Sequence, residues 1–481
     1  MNTKESTCVT LMGFARNGKK VSVVFRSANL FFLVLLAVGC VHYPVNPPLK
    51  QAVPAGDYRG EAMGSPEKSG RLLMLLTFSG GGTRAAAFSY GVLEELKKTE
   101  VTIDGKNRRL LDEINAISSV SGGSFTAGYY GLFGDRIFED FDTRFLKKNI
   151  EGALIARTFF NPINRFRLLS PDFGRSDLAA EYYDKHVFDG KTFGDIEARK
   201  GPVILMNATD MTHGTRIAFA QEAFNLICSD LSKFSVARAA AASSAVPMLL
   251  TPITVQNYAG TCGYKIPARY EAALKGRDIN ARQFYLANNI RVYLDSEKKP
   301  YIHLVDGGVA DNLGLRAILD RVILKGSVWE AIKGTPMEGV RKIVFIIVNA
   351  ETEPDTKWDR TGKIPSFGAM LSAYSGISIE RYNEETIALL KESVGSWVED
   401  IKTDRCNDTQ GSMDAGSCGD IQFYVVEVKF DALRDEAERN YFKRLPTSFK
   451  LTPEQVDKLR DAAHRILIES EEFKRLLSDL K

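Results

Sequence analysis

Three apolar runs in this chain each stop at a cluster of small residues. Leu72–Phe78 runs into Ser79-Gly80-Gly81-Gly82-Thr83-Arg84, Ile114–Val120 into Ser121-Gly122-Gly123, and 301–305 into Asp306-Gly307-Gly308. Runs of this length without polar alternation read as strands buried on both faces, which is the habit of parallel sheets. Small residues after such a strand let the chain turn sharply, and open sheets carry their working residues at those carboxyl ends. The segments 83–98 and Gly122–Phe133 read as helices, and 202–207, 216–220, 342–348 and 422–428 as further strands. Strand and helix in alternation predict a doubly wound, mostly parallel α/β sheet with helices on both faces.

The front of the chain reads as an address. Arg16, Lys19, Lys20 and Arg26 precede the apolar stretch 30–38, which ends at Gly39-Cys40. That order resembles a bacterial lipoprotein signal over 1–39, although leucine is usual where Ala37 stands. A spanning helix needs about 20 apolar residues, more than this run holds, so a membrane-retained signal anchor is the second reading. On the first reading Cys40 is the lipidated residue that attaches the chain to a membrane surface, and Val41 in place of aspartate directs it to a Gram-negative outer membrane. Residues 1–39 carry five Lys/Arg and one Glu, a net +4, so the remainder of a chain of formal charge +3 stands at −1. Nucleic acid is excluded as a partner on that balance. Four cysteines remain beyond Cys40 in a chain addressed to an oxidising compartment. Cys406 and Cys418 bracket a polar loop and form the favoured disulfide, leaving Cys228 with Cys262; buried free thiols are the alternative. No cysteine or histidine spacing suits a metal.

Residues 40–70, rich in Pro and Gly, read as a flexible tether. The domain proper is expected over 71–350, with a polar excursion at 255–300 whose irregular part, 265–299, is placed over the site. The remainder, 351–481, is a C-terminal α/β extension that completes it. Near the end, Val456, Leu459, Ala463, Ile466, Leu467, Phe473, Leu477 and Leu480 recur at helical spacing on one long helix, read as core packing with a membrane-lying helix as the alternative.

The chemistry lies in the three small-residue clusters. Ser121 at a strand-to-helix junction follows nucleophile-elbow logic, with Ser119 where glycine is usual; a plain helix N-cap is the competing reading. Gly80, Gly81 and Gly82 lie between strand and helix, where backbone N–H groups converge on an anion, here a tetrahedral oxyanion. Arg84 either shapes that loop or attracts a phosphate-bearing substrate. Neither nucleotide-binding glycine pattern is present. Asp306 supplies a base. The histidine that a Ser-Asp-His triad needs downstream is missing, because only His464 follows Asp306, and His42, His186, His213 and His303 read as structural.

Taken together, these segments resemble the patatin-like phospholipase family. Ser79–Arg84 is similar to its Gly-Gly-Gly-x-Arg oxyanion loop, with serine first as in the cytosolic phospholipase A2 branch. Ser121 and Asp306 match its Ser-Asp dyad, 241–247 its Ala-Ser-x-Ala-x-Pro stretch near the site, and 207–210 its Ala-Thr-Asp strand end. The resemblance implies an α/β/α fold, no cofactor, and hydrolysis of acyl esters of membrane phospholipid or lysophospholipid. Acyl transfer or thioester cleavage by the same dyad, and a non-catalytic lipid-binding role, are the other classes it leaves open.

Overall fold

The computed structural model describes residues 42–53, 68–247, 249–279, 281–353, 358–408 and 418–480. The segment 1–39 and Cys40 lie outside them. Ten strands occur among the described residues: β1 (Leu72–Phe78), β2 (Glu100–Ile103), β3 (Lys106–Arg109), β4 (Ile114–Val120), β5 (Val203–Asp210), β6 (Arg216–Phe219), β7 (Ile253–Gln256), β8 (Tyr301–Asp306), β9 (Lys342–Asn349) and β10 (Gln422–Lys429). The helices that matter below are α1 (Gly82–Lys98), α2 (Gly122–Phe133), α3 (Ile150–Phe159), α4 (Pro162–Arg167), α5 (Arg175–His186), α6 (Val236–Ser243), α7 (Ala268–Gly276), α8 (Arg282–Arg291), α9 (Gly308–Asp311), α10 (Arg316–Lys325), α11 (Phe367–Asp408), α12 (Pro453–Glu469) and α13 (Glu471–Asp479).

The main sheet runs β10-β9-β1-β4-β5-β8-β7, with β6 also on β5, while β2 and β3 form a separate hairpin. From β10 to β5 every pairing is parallel. Every residue of β1 and β4 is buried, including Asn115, Ser118 and Ser119 of β4. The two faces of β1 separate by alternation: Leu72, Met74, Leu76 and Phe78 enter one core with α1 and α2, whereas Leu73 and Leu75 enter a second core with α10 and α11. The result is a mixed, mostly parallel sheet flanked by helices.

Four expectations need correction. The strand bearing Asp306 is not parallel to its neighbours: β8 pairs antiparallel with both β5 and β7, and a short, mostly apolar run carries no information on direction. The excursion is not irregular: it folds into α7 and α8, which pack on α10. It is also fastened to the end of β5, where Lys299 and Tyr293 both reach the buried Asp210, at 2.8 and 2.7 Å. The tether is docked where it is described: Asn46 is buried and accepts from Gln256 N–H, while Leu49 N–H and Ala52 N–H donate to the carbonyls of Cys228 and Cys262. Those two cysteines form a disulfide, as do Cys406 and Cys418. Finally, the C-terminal stripe is two helices, α12 and α13, broken at Ser470, whose hydroxyl accepts from Phe473 N–H to cap the second. The stripe is core: α12 lies on α1 at Gly91, where a Cβ would come within 2.6 Å of the Arg460 carbonyl oxygen.

Among the described residues no helix is long and apolar enough to cross a membrane.

Candidate active site

The site is built by one edge of β5. Asn207 pairs with Val120 of β4 in parallel and with Ala218 of β6, so β4 and β6 occupy opposite edges. Ala208 pairs with Ile217 of β6 and with Asp306 of β8, so β8 continues along the edge that β4 has left. The two strands therefore meet end to end, carboxyl terminus to carboxyl terminus, and the residues at the meeting point are Ser121 and Asp306. Ser121 Oγ donates to Asp306 Oδ2 at 2.9 Å, and both residues are buried.

Ser121 holds φ 48° and ψ −119°, a conformation that costs a non-glycine residue about 1–3 kcal/mol. Its side chain makes no cap hydrogen bond, so the plain N-cap reading does not describe it. The strained turn is held from below by Ser243, at the end of α6. Ser243 Oγ accepts from Ser121 N–H at 2.8 Å and donates to the Asn207 carbonyl at 2.6 Å. The same segment holds the aspartate, since Asp306 N–H donates to the Ala245 carbonyl and Gly307 N–H to the Ser243 carbonyl. Ser119, where glycine is usual, is accommodated by its own hydrogen bonds: its Oγ donates to the Leu205 carbonyl and accepts from Ser124.

Asp306 is tuned by burial. Desolvation pushes its carboxyl up to about 6, against the opposing pull of the Gly308 N–H and the Ser121 hydroxyl. It remains ionised above neutrality, as a base must. No histidine joins it: His303 meets Thr254 at 3.1 Å, and His464 meets Glu95 on α1.

The glycine loop lies against the serine, since a Cβ on Gly80 would stand 3.4 Å from Ser121 Cβ. Its three N–H groups are not equivalent. Gly80 N–H donates to the Asn312 carbonyl at 3.0 Å, so Gly80 shapes the loop and cannot also serve an oxyanion. The N–H groups of Gly81 and Gly82 take no protein acceptor among the described residues, and they open α1. The first turn of α2 points at the same place from Gly122, so two helix amino termini bring positive potential to one spot.

Arg84 does not face a substrate. It is buried, and it donates to the carbonyls of Ala350 and Leu445 and, at 3.0 Å, to Thr447 Oγ1. Burial brings its guanidinium down to about 10. Beside it, Thr83 N–H donates to the Ser448 carbonyl. Of these supports, Ser243 sits in a stretch that the sequence marks, 241–247, while Asn312, Leu445 and Thr447 carry no local signal. Among the described residues no cluster of three or more His, Cys, Asp or Glu is placed to hold a metal.

Residues 76–319 match the Patatin family, described as patatin-like phospholipase. The chain belongs to the patatin-like phospholipase family. At family level this patatin-like protein is a lipid acyl hydrolase. Among solved structures it is similar to human GIVD cytosolic phospholipase A2, at 12% identity over 90% of this chain and 67% of that one, with a TM-score of 0.43. A second similar structure is VipD from Legionella pneumophila, at 12% identity over 87% and 71% of the two chains, with a TM-score of 0.27. No curated protein matches the chain.

Proposed function

We propose that this patatin-like protein is a serine hydrolase of the phospholipase A or lysophospholipase type, working through Ser121 and Asp306 and an acyl-enzyme. The observation that carries the reading is the 2.9 Å bond between Ser121 Oγ and a buried carboxylate at a strained turn, with the glycine loop beside it. Asp306 takes the Ser121 proton as Oγ attacks the acyl carbonyl carbon, and Gly81 and Gly82 N–H groups receive the oxyanion. Collapse breaks the ester bond, and the departing alkoxide takes the proton back from Asp306. Water then attacks the acyl-enzyme with Asp306 again as base, which frees the fatty acid and restores Ser121. The chain itself reaches the lipid through Cys40: we read 1–39 as a lipoprotein signal and the mature protein as anchored to the cell envelope, at the outer membrane.

The test is release of fatty acid from phospholipid vesicles by the parent and by Ser121→Ala, followed by mass spectrometry. Release by the parent and none by the variant supports the reading. Equal release, or none from a folded parent even with alcohol or thiol acyl acceptors supplied, overturns it.

A further inference from the structure

Nineteen large apolar side chains are exposed among the described residues, and six of them crowd into fifteen positions: Ile155, Phe159, Phe160, Ile163, Phe166 and Leu169. Phe160 is 81% exposed and Ile163 69%. Scattered singly such residues mean little, but a contiguous group marks a contact surface. The element bearing them is built rather than frayed. Asn149 caps α3, Asn161 caps α4 with Pro162 at its first position, and Asn164 Nδ2 closes the hairpin onto the Arg157 carbonyl at 3.1 Å. Arg157 and Arg167 both reach Glu181 of α5 and fasten the hairpin to the body.

Three observations say what covers this surface. The first is charge: of the cations in 147–169, Lys147 pairs with Asp142 and Asp457, and Arg157 and Arg167 pair with Glu181, while Lys148 and Arg165 are exposed and take no ion pair among the described residues, and exposed aromatics beside such cations suit a lipid interface. The second is position. Ile150 N–H and Glu151 N–H donate to the Phe449 carbonyl, next to Ser448, which crowds Gly82. Past the other end, Ser176 Oγ donates to the Thr251 carbonyl, and the exposed Leu249 lies between Thr251 and Ala245, whose carbonyl holds Asp306 N–H. The start of the hairpin is thus tied to the segment beside the glycine loop, and the helix that follows it, α5, to the segment that holds Asp306. The third is the anchor. His42 Nδ1 lies 3.0 Å from Asp172 Oδ2 and Tyr43 N–H donates to the Asp172 carbonyl, three residues beyond Leu169. Cys40, the proposed lipidation site, precedes His42 by two positions in the sequence.

We propose that the α3–α4 hairpin seats in the interface of a phospholipid bilayer, with Phe159, Phe160 and Ile163 at the acyl boundary, and sets the mouth of the Ser121 site on the lipid surface. The proposal deepens the lipid-hydrolase reading and rests on it for the substrate. Its test uses the full chain carrying Cys40→Ser, which removes lipidation, and the triple substitution Phe159→Gln, Phe160→Gln, Ile163→Gln in the same background. Co-sedimentation with vesicles of phosphatidylcholine and phosphatidylglycerol measures binding, with Ser121→Ala added so that the lipid stays intact. The triple variant is expected to bind at least tenfold more weakly, to cleave vesicle lipid correspondingly more slowly, and to keep its rate on a soluble short-chain ester within twofold. Equal binding by both proteins, no binding by either, or a parallel loss on the soluble ester would overturn it. A parent that binds vesicles through the hairpin yet hydrolyses nothing upholds the surface and removes the catalytic reading instead.

Discussion

Gly122, directly after the serine, lies against Gly82 in the glycine loop so closely that a Cβ on Gly122 would stand 2.7 Å from the Gly82 nitrogen and collide with the Gly82 carbonyl. The turn that carries the hydroxyl and the loop that would meet the oxyanion are therefore one packed unit, and neither can move without the other.

Gly122→Ala is accordingly expected to displace the loop from the serine. A shift of about 1 Å commonly costs 10²-fold in rate, and a loss of that order in kcat on a soluble ester is the expected outcome, with a lowered melting temperature. Gly395→Ala is the control, because Gly395 lies exposed in α11 with nothing within 4 Å of an added Cβ. That change should leave activity intact and gain up to about 1 kcal/mol of helix propensity.

Arg84→Met should act through structure and not through substrate charge. It leaves the Ala350 and Leu445 carbonyls without their donor, and each buried acceptor so orphaned costs about 1–3 kcal/mol. Thermal stability and kcat should fall together. The ratio of kcat/KM on a phospholipid to that on an uncharged glyceride should stay constant; a selective loss on the phospholipid would mean that the guanidinium reads phosphate after all.

The rate should depend on one group. With the Asp306 carboxyl at about 6, kcat/KM on a soluble ester is expected to climb tenfold per pH unit below that value and to level off above it, without the acid form of any histidine entering. The same midpoint should persist in His464→Gln and His303→Gln. A midpoint that moves in either variant would reveal a histidine in the proton path.

How much of this was legible beforehand follows from the range of each signal. Apolar runs gave β1 and β4 with their ends correct, since a strand buried on both faces needs nothing beyond its own residues. The direction of β8 depends on which edge of β5 is vacant, which no local pattern records. The long helix α11 carries no legible stripe, because it mixes polar and apolar residues around its circumference. Gly80 looked equivalent to its two neighbours until Asn312, more than 230 positions away, proved to hold its N–H. Arg84 likewise finds its acceptors near residues 350 and 445, so its role was visible only as a choice between two.

Asp306 also carries a cost that can be measured. Its carboxyl titrates at about 6 in the folded chain against a reference of 3.8, so the folded state holds this proton more tightly than the unfolded state does. Stability from this group is complete below about 3.8, falls as pH rises, and is spent once pH passes about 6. The difference amounts to roughly 3 kcal/mol at neutral pH. Asp306→Asn keeps the shape, with its amide oxygen accepting from Gly308 N–H and its amide nitrogen donating to the Ser121 hydroxyl oxygen, but removes the buried charge. The variant should abolish hydrolysis and yet melt at a higher temperature than the parent at pH 8, with the advantage shrinking steadily as pH is lowered to 4. Melting curves of both proteins across that range decide it. An advantage that does not change with pH would mean that Asp306 is not charged where the chemistry requires it to be.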